Sequence, residues 1–161
     1  MRLFVILVLA ASAVFVLWSG AQLPEQVGSH FDLSGRADAF MSRTAFTAAM
    51  LLAASVVPGL VWLLQLWAAR SGKWNIRNRD HWFGAQHGKS TVRYLENQAG
   101  WFTIALAAFM VFVHWLVVQA NTGAGAPPGL DNTAFLAALA VYFVFVIVWV
   151  SMLFVRFGKR T

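Results

Sequence analysis

The sequence predicts an all-α polytopic membrane protein, a bundle of four transmembrane helices with both termini in the cytoplasm. Three observations carry this: 60% of the residues are hydrophobic and only 11% charged, the apolar residues gather into four long runs, and the basic residues lie unevenly between those runs. Mean hydropathy is +0.66, outside the range of soluble domains. In hydrocarbon every backbone N–H and C=O must be paired internally, so such runs cross as helices or closed barrels, and barrel strands would alternate apolar with polar residues. These runs do not alternate.

The runs are Leu3 to Gly20, Ala45 to Ala69, Trp101 to Ala120 and Ala134 to Val155, none containing Asp, Glu, Lys or Arg. Each approaches the ~20 residues that span a core about 30 Å thick. The expected organisation is one membrane domain over 1–161, with spans at 3–20, 45–69, 101–120 and 134–155, an outer motif loop at 21–43 and an inner basic loop at 70–99. Of the 12 basic residues, all but Arg36 and Arg43 fall before the first span, between the second and third, or after the fourth. The positive-inside rule therefore places those three segments in the cytoplasm. The first run is read as a retained anchor, because it is longer than a signal-peptide core; Ser19-Gly20-Ala21 is the cleavage site that the alternative would use.

Within the spans, Trp18 and Trp115 are expected at the outer interface and Trp62, Trp67, Trp101 and Trp149 at the inner one, as anchors. Ala45, Ala49 and Ala53 form a small-residue ridge on the second helix, and Ala134 with Ala138 on the fourth, suited to close helix approach. Pro58-Gly59 predicts a kink in the second helix. Asn121 to Asp131, with Gly123, Gly125, Pro127, Pro128 and Gly129, reads as a flexible outer turn.

Composition also excludes. With no cysteine there are no disulfides, thiol nucleophiles or thiolate metal sites. The net charge of +6 sits where membrane topology requires it, so nucleic acid is not an expected partner. All six Asp and Glu lie outside the spans, which disfavours proton-coupled transport. His114 is the sole histidine within a span, so a bis-histidine haem site is excluded.

Two loops carry candidate function. The outer one reads Leu23-Pro24-Glu25-Gln26-Val27-Gly28-Ser29-His30-Phe31-Asp32-Leu33-Ser34-Gly35-Arg36-Ala37-Asp38-Ala39-Phe40-Met41-Ser42-Arg43. Its structural reading is a loop folded over the bundle, in which Gly35 supplies a positive φ and Asp38 or Ser42 caps the second helix. Its functional reading uses the imidazole of His30 and the carboxylates of Glu25, Asp32 and Asp38, which suit a divalent metal. His114 lies about 9 Å below the outer end of the third span at 1.5 Å per residue, and a site joining His30, Asp38 and His114 is the candidate for a metal or catalytic centre. A neutral His114 hydrogen-bonded between helices is the structural alternative. The inner loop carries Asn75, Asn78, Asp80 and Trp82, with His81, His87 and Glu96 among six bases. Lys89 to Ala99 is predicted helical, with Val92, Leu95, Ala99 and Phe102 on one stripe against lipid or bundle and its bases on anionic headgroups. There is neither a P-loop nor a dinucleotide fingerprint.

Leu23, Pro24, His30, Phe31, Gly35, Asp38, Ser42 and Arg43 match a pattern by which the outer loop resembles the membrane family catalogued as domain of unknown function 1648, which occurs in proteins similar to the SdpI-like bacterial immunity protein. Asn75-Ile76-Arg77-Asn78-Arg79-Asp80-His81-Trp82 resembles a second stretch of that family. Gly28 and Arg77 stand where the family often has proline. The resemblance implies a small multi-pass protein of the bacterial cytoplasmic membrane, in some relatives protective against a membrane-active toxin, and no established chemistry. His30, Phe31, Asp32, Gly35, Asp38 and His114 are then the candidate binding residues of a module that engages a protein or peptide partner, a second copy or a larger complex, a divalent metal being the candidate cofactor if it has one. A metal-dependent enzyme or small transporter built on the outer His/Asp cluster is the alternative.

Overall fold

The computed structural model describes residues 1–123 and 127–158; Gly125 of the outer turn and the basic residues Lys159 and Arg160 lie outside them. The elements in order are helix α1 (Arg2–Gly20), strands β1 (Gln26–Phe31) and β2 (Ala37–Ser42), α2 (Arg43–Leu51), a π-helical turn (Leu52–Val56), α3 (Val57–Arg70), the short α4 (Arg79–Phe83), α5 (Gly88–Thr122) and α6 (Asn132–Phe157). Four continuous helices, Arg2–Gly20, Arg43–Arg70, Gly88–Thr122 and Asn132–Phe157, are long and apolar enough to cross a membrane. The chain is thus a four-helix membrane bundle.

Just before Pro58-Gly59, where the sequence predicts a kink, the second long helix carries the π-turn. The Val57 N–H reaches back five residues to the Leu52 carbonyl. Proline has no N–H and its ring would crowd the carbonyl four residues earlier, so a widened turn accommodates Pro58 within a continuous helix. Phe46, Ala54, Pro58, Trp62 and Leu66 are buried at multiples of four residues, a ridge that packs into neighbouring helices. This corrects two expectations. Ala45 and Ala49 are exposed and Ala53 only half-buried, so the small-residue ridge is not the packed face. Trp62 is no interfacial anchor but joins Val5, Leu66 and Ala99 in the bundle core. Both follow from helix rotation: the face that carries Phe46 is the one turned toward α1 and α5. Close approach comes instead from Gly20 of α1, where a Cβ would lie 2.6 Å from the Thr47 hydroxyl.

Helix α5 is the hub, contacting α1, α3 and α6 as well as α4 and β1. Its first turns run straight into the span, with Leu95 and Ala99 fully buried. Helix α6 is peripheral, and none of its apolar window is buried inside the protein. Trp149 donates to the Gln98 carbonyl (3.1 Å), and Phe109 and Tyr142 stack with centroids 4.9 Å apart, tying α6 to α5. At the basic end Phe157 enters a cluster with Ala69 and Leu95, against which Trp82 packs.

The main departure from an all-helical reading is at the other end. Residues 26–42 form an antiparallel hairpin, pairing Gln26 with Ser42, Val27 with Met41, Gly28 with Phe40, His30 with Ala39 and Phe31 with Ala37. Register shifts on either side of His30 break the alternation that would have marked strands in the sequence. The predicted outer turn is not free either: Ala37 N–H donates to the Pro128 carbonyl (3.2 Å) and Leu130 N–H to the Gly35 carbonyl (2.8 Å), so residues 128–130 lie beside the hairpin tip in an isolated antiparallel bridge between Arg36 and Gly129.

Candidate functional site

The hairpin is seated by its apolar side. Leu23 and Val27 are buried with Phe46, Val117 and Val118, and Phe31, Met50 and Leu130 pack against them. Leu23 is therefore the plug by which the loop's opening Leu-Pro sits on the helix ends. Arg43 adds a lock, its guanidinium donating to the Leu23 carbonyl at 3.2 Å. Ser42 caps α2, accepting from Ala45 N–H at 3.3 Å; Asp38, the other candidate cap, is occupied elsewhere.

Asn121, near the end of α5, clamps the hairpin. Its side-chain oxygen accepts from Gly28 N–H (2.7 Å), while its amide nitrogen donates to the carbonyls of Gly28 (3.0 Å) and Val117 (2.8 Å). The amide thereby behaves as a strand neighbour of Gly28. Proline at 28, the residue the resembled pattern often has, would delete the donor. Any Cβ there would also lie 2.8 Å from the Ala37 Cβ and 3.1 Å from the Pro128 Cβ.

At the tip, one oxygen of Asp32 accepts from the Ser34 N–H (2.7 Å), the Ser34 hydroxyl (2.7 Å) and the Arg36 N–H (3.0 Å). The Ser34 hydroxyl, followed by the Arg36 backbone, holds this carboxyl below its ordinary value. Gly35 takes φ +83°, and a Cβ would meet the Leu130 carbonyl at 2.5 Å. Asn132 closes the tip by donating to the Leu33 carbonyl at 2.8 Å. One of the two Asp32 oxygens that looked like metal ligands is thus spent on the turn.

Away from the seat, His30 Nδ1 and Asp38 form a pair at 2.5 Å, their side chains 70% and 49% exposed. Leu33 is fully exposed, Phe40 is 55% exposed and Met41 is 36% exposed. His114 is not gathered with this pair. It is fully buried, its Nε2 lying 2.8 Å from the Ser19 hydroxyl, its ring stacked on Phe46 (5.7 Å) and edge-on to Phe15 (6.1 Å). Ser19 lies 2.6 Å from the Phe15 carbonyl and donates to it, which makes Nε2–H the donor to Ser19 and leaves Nδ1 bare. Among the described residues no three His, Asp or Glu stand together as a metal group.

At the opposite end, Asn78 takes a left-handed conformation (φ 55°) ahead of α4, a geometry asparagine tolerates better than most residues. Asp80 sits in the first turn of α4, His81 and His87 approach to 4.6 Å between centroids, and Asn75 lies beside Val150 and Phe154 of α6. The Trp82 ring packs edge-on to Phe157 (5.2 Å). Glu96 receives Arg2 from α1 and Arg70 from α3, both at 2.7 Å, joining three helices. Sequence reasoning passed over Asn121, Ser19 and this triad. An amide in the last turn of a span was the available signal for the first.

Neither curated proteins nor solved structures yield a match. Residues 6–55 match the family described as Domain of unknown function (DUF1648), an interval that takes in most of α1, the whole hairpin and the second helix to its π-turn. That segment, whose hairpin forms the candidate surface, is what the chain shares with the DUF1648 family.

Proposed function

We propose that the chain is a recognition module of the bacterial cytoplasmic membrane, with its termini in the cytoplasm and its hairpin presented outside as a fixed surface for a protein or peptide partner. The observation that carries this reading is the division of the hairpin into two faces. One is fastened by Leu23, Val27 and Asn121, and the other offers Phe40 with the His30–Asp38 pair, Leu33 standing exposed at the tip. A loop needed only to connect two spans gains nothing from apolar side chains held out on a braced sheet, whereas a binding surface uses them as contact area. Protection against a membrane-active toxin and membership of a larger membrane complex are the two settings this surface suits. The enzyme or transporter alternative, which would join His30, Asp38 and His114, gains no support from an arrangement in which His114 is engaged with Ser19 inside the bundle.

The test places a photoreactive residue at Phe40 or Leu33 of the full chain in living cells. A discrete protein or peptide adduct is expected, weakened by His30→Ala with Asp38→Ala while membrane insertion is unchanged. Adducts with lipid alone would refute the reading. So would a reporter at Ser34 found in the cytoplasm.

A further inference from the structure

At the end of the bundle away from the hairpin, a cavity of about 640 Å³ lies between the start of α1, the end of α3 and the start of α5. Five cations line it, Arg2, Arg70, Arg79, Lys89 and Arg93, against the single carboxylate of Glu96. Glu96 is engaged by Arg2 and Arg70, while Arg79, Lys89 and Arg93 form no salt bridge among the described residues. The amino end of α5 reaches the same cavity at Gly88 and Lys89, with no side-chain cap and no acidic residue in its first turn. Like charges gathered around one concavity repel each other unless an anion is taken up, and the dipole of α5 adds to the same sign even though the Gly88 N–H is itself bonded to the Gly84 carbonyl. The depth fits a lipid headgroup: Trp67, one turn before Arg70, and Trp101, just beyond Glu96, are more than half exposed, as interfacial tryptophans are.

We infer that this cavity is a binding site for the phosphate of an anionic lipid headgroup, a phosphomonoester being preferred over a phosphodiester because it carries more charge. This reading is independent of the hairpin's role. Arg79 and Arg93 supply planar donors matched to phosphate oxygens, Lys89 a point charge beside the helix end, and Glu96 limits the positive excess by holding Arg2 and Arg70.

The experiment uses the purified full chain in neutral detergent, with phosphatidate, phosphatidylglycerol or phosphatidylcholine added to the micelles, and follows binding by native mass spectrometry. Phosphatidate is expected to bind most tightly and phosphatidylcholine least. Each neutralised cation should weaken phosphatidate binding about fivefold, so the triple variant Arg79→Gln/Lys89→Gln/Arg93→Gln should lose on the order of 100-fold. Lys73→Gln with Arg77→Gln, bases of the same loop that do not line the cavity, should change it less than about twofold, far below the roughly 25-fold that two lining charges would give at that scale. Glu96→Gln frees Arg2 and Arg70 and should tighten binding, a direction that simple damage to the fold would not produce. Equal losses in the triple and control variants would overturn the site in favour of a diffuse basic surface. Weaker binding in Glu96→Gln would overturn it as well. Inorganic pyrophosphate competing as well as phosphatidate, with the same sensitivity to the variants, would overturn the lipid as occupant and leave a soluble phosphate compound in its place.

Discussion

Replacing Asn121 by alanine separates the clamp from the rest of the hairpin's support. The side chain makes three hydrogen bonds, two to the backbone of Gly28 and one to the Val117 carbonyl. The Val117 carbonyl is internal to α5, so its loss costs little. The two bonds to Gly28 are part-buried, and each contributes about 1 kcal/mol net, more if the backbone group is left without water. The hairpin should therefore open more easily by about 2–3 kcal/mol, a 30- to 150-fold rise in the opening equilibrium at about 1.4 kcal/mol per decade. Amide hydrogen exchange in detergent reads this directly, because local opening sets the rate. The Gly28 to Phe31 and Ala37 to Ser42 amides should lose protection by that factor while amides in the middle of α5 stay unchanged. Asn121→Asp should do no better than alanine, since it keeps the acceptor for Gly28 N–H but turns a second oxygen toward two carbonyls. A fall of less than about threefold at Gly28, or an equal fall throughout the bundle, would refute the clamp, since the bonds counted above require more.

His114→Leu should leave thermal stability in detergent within about 3 °C of the parent, because Ser19 keeps its bond to the Phe15 carbonyl and interhelical bonds in membranes average about 0.6 kcal/mol; a drop beyond about 8 °C would mean that the bare Nδ1 has an essential partner. Asp32 predicts a pH dependence confined to the tip: its carboxyl is held below the unfolded value near 3.9, so its stabilisation is complete above about pH 5 and fades as pH falls through the lowered native value. Hydrogen exchange at Ser34 and Arg36, corrected for the intrinsic pH dependence, should be flat from pH 7 to about 5 and lose protection only below about 4, and Asp32→Asn should abolish the transition.

The four long helices were legible because hydrocarbon leaves so few solutions: uncharged runs of span length have to be helices, and the structure has four. Local chemistry was legible too. Gly35 takes the positive φ expected of it, Ser42 caps α2, and Leu95 and Ala99 fall on the packed stripe of α5. What escaped was set by partners distant in sequence. The Gly28–Asn121 contact spans 93 residues, and the bridge at Gly129 joins the hairpin to a turn that reads as complete in itself. The hairpin had no period-two signature because bulges beside His30 rotate its side chains. Helix rotation was equally hidden: alanines four apart and a Phe–Ala–Trp series eight apart both make ridges, and only the neighbours decide which turns inward.

The bridge at Gly129 also bears on how the last helix finds its place. Helix α6 buries almost nothing of itself, so greasy contact alone gives it little reason to prefer one rotation over another in the bilayer. Its first residues are nonetheless anchored: Leu130 and Asn132 are bonded to the hairpin tip, and Asp131 caps the helix through Ala134 N–H at 2.9 Å. A few polar bonds at the helix end thus orient a helix that buries little, and a partner bound to the hairpin would also have purchase on α6.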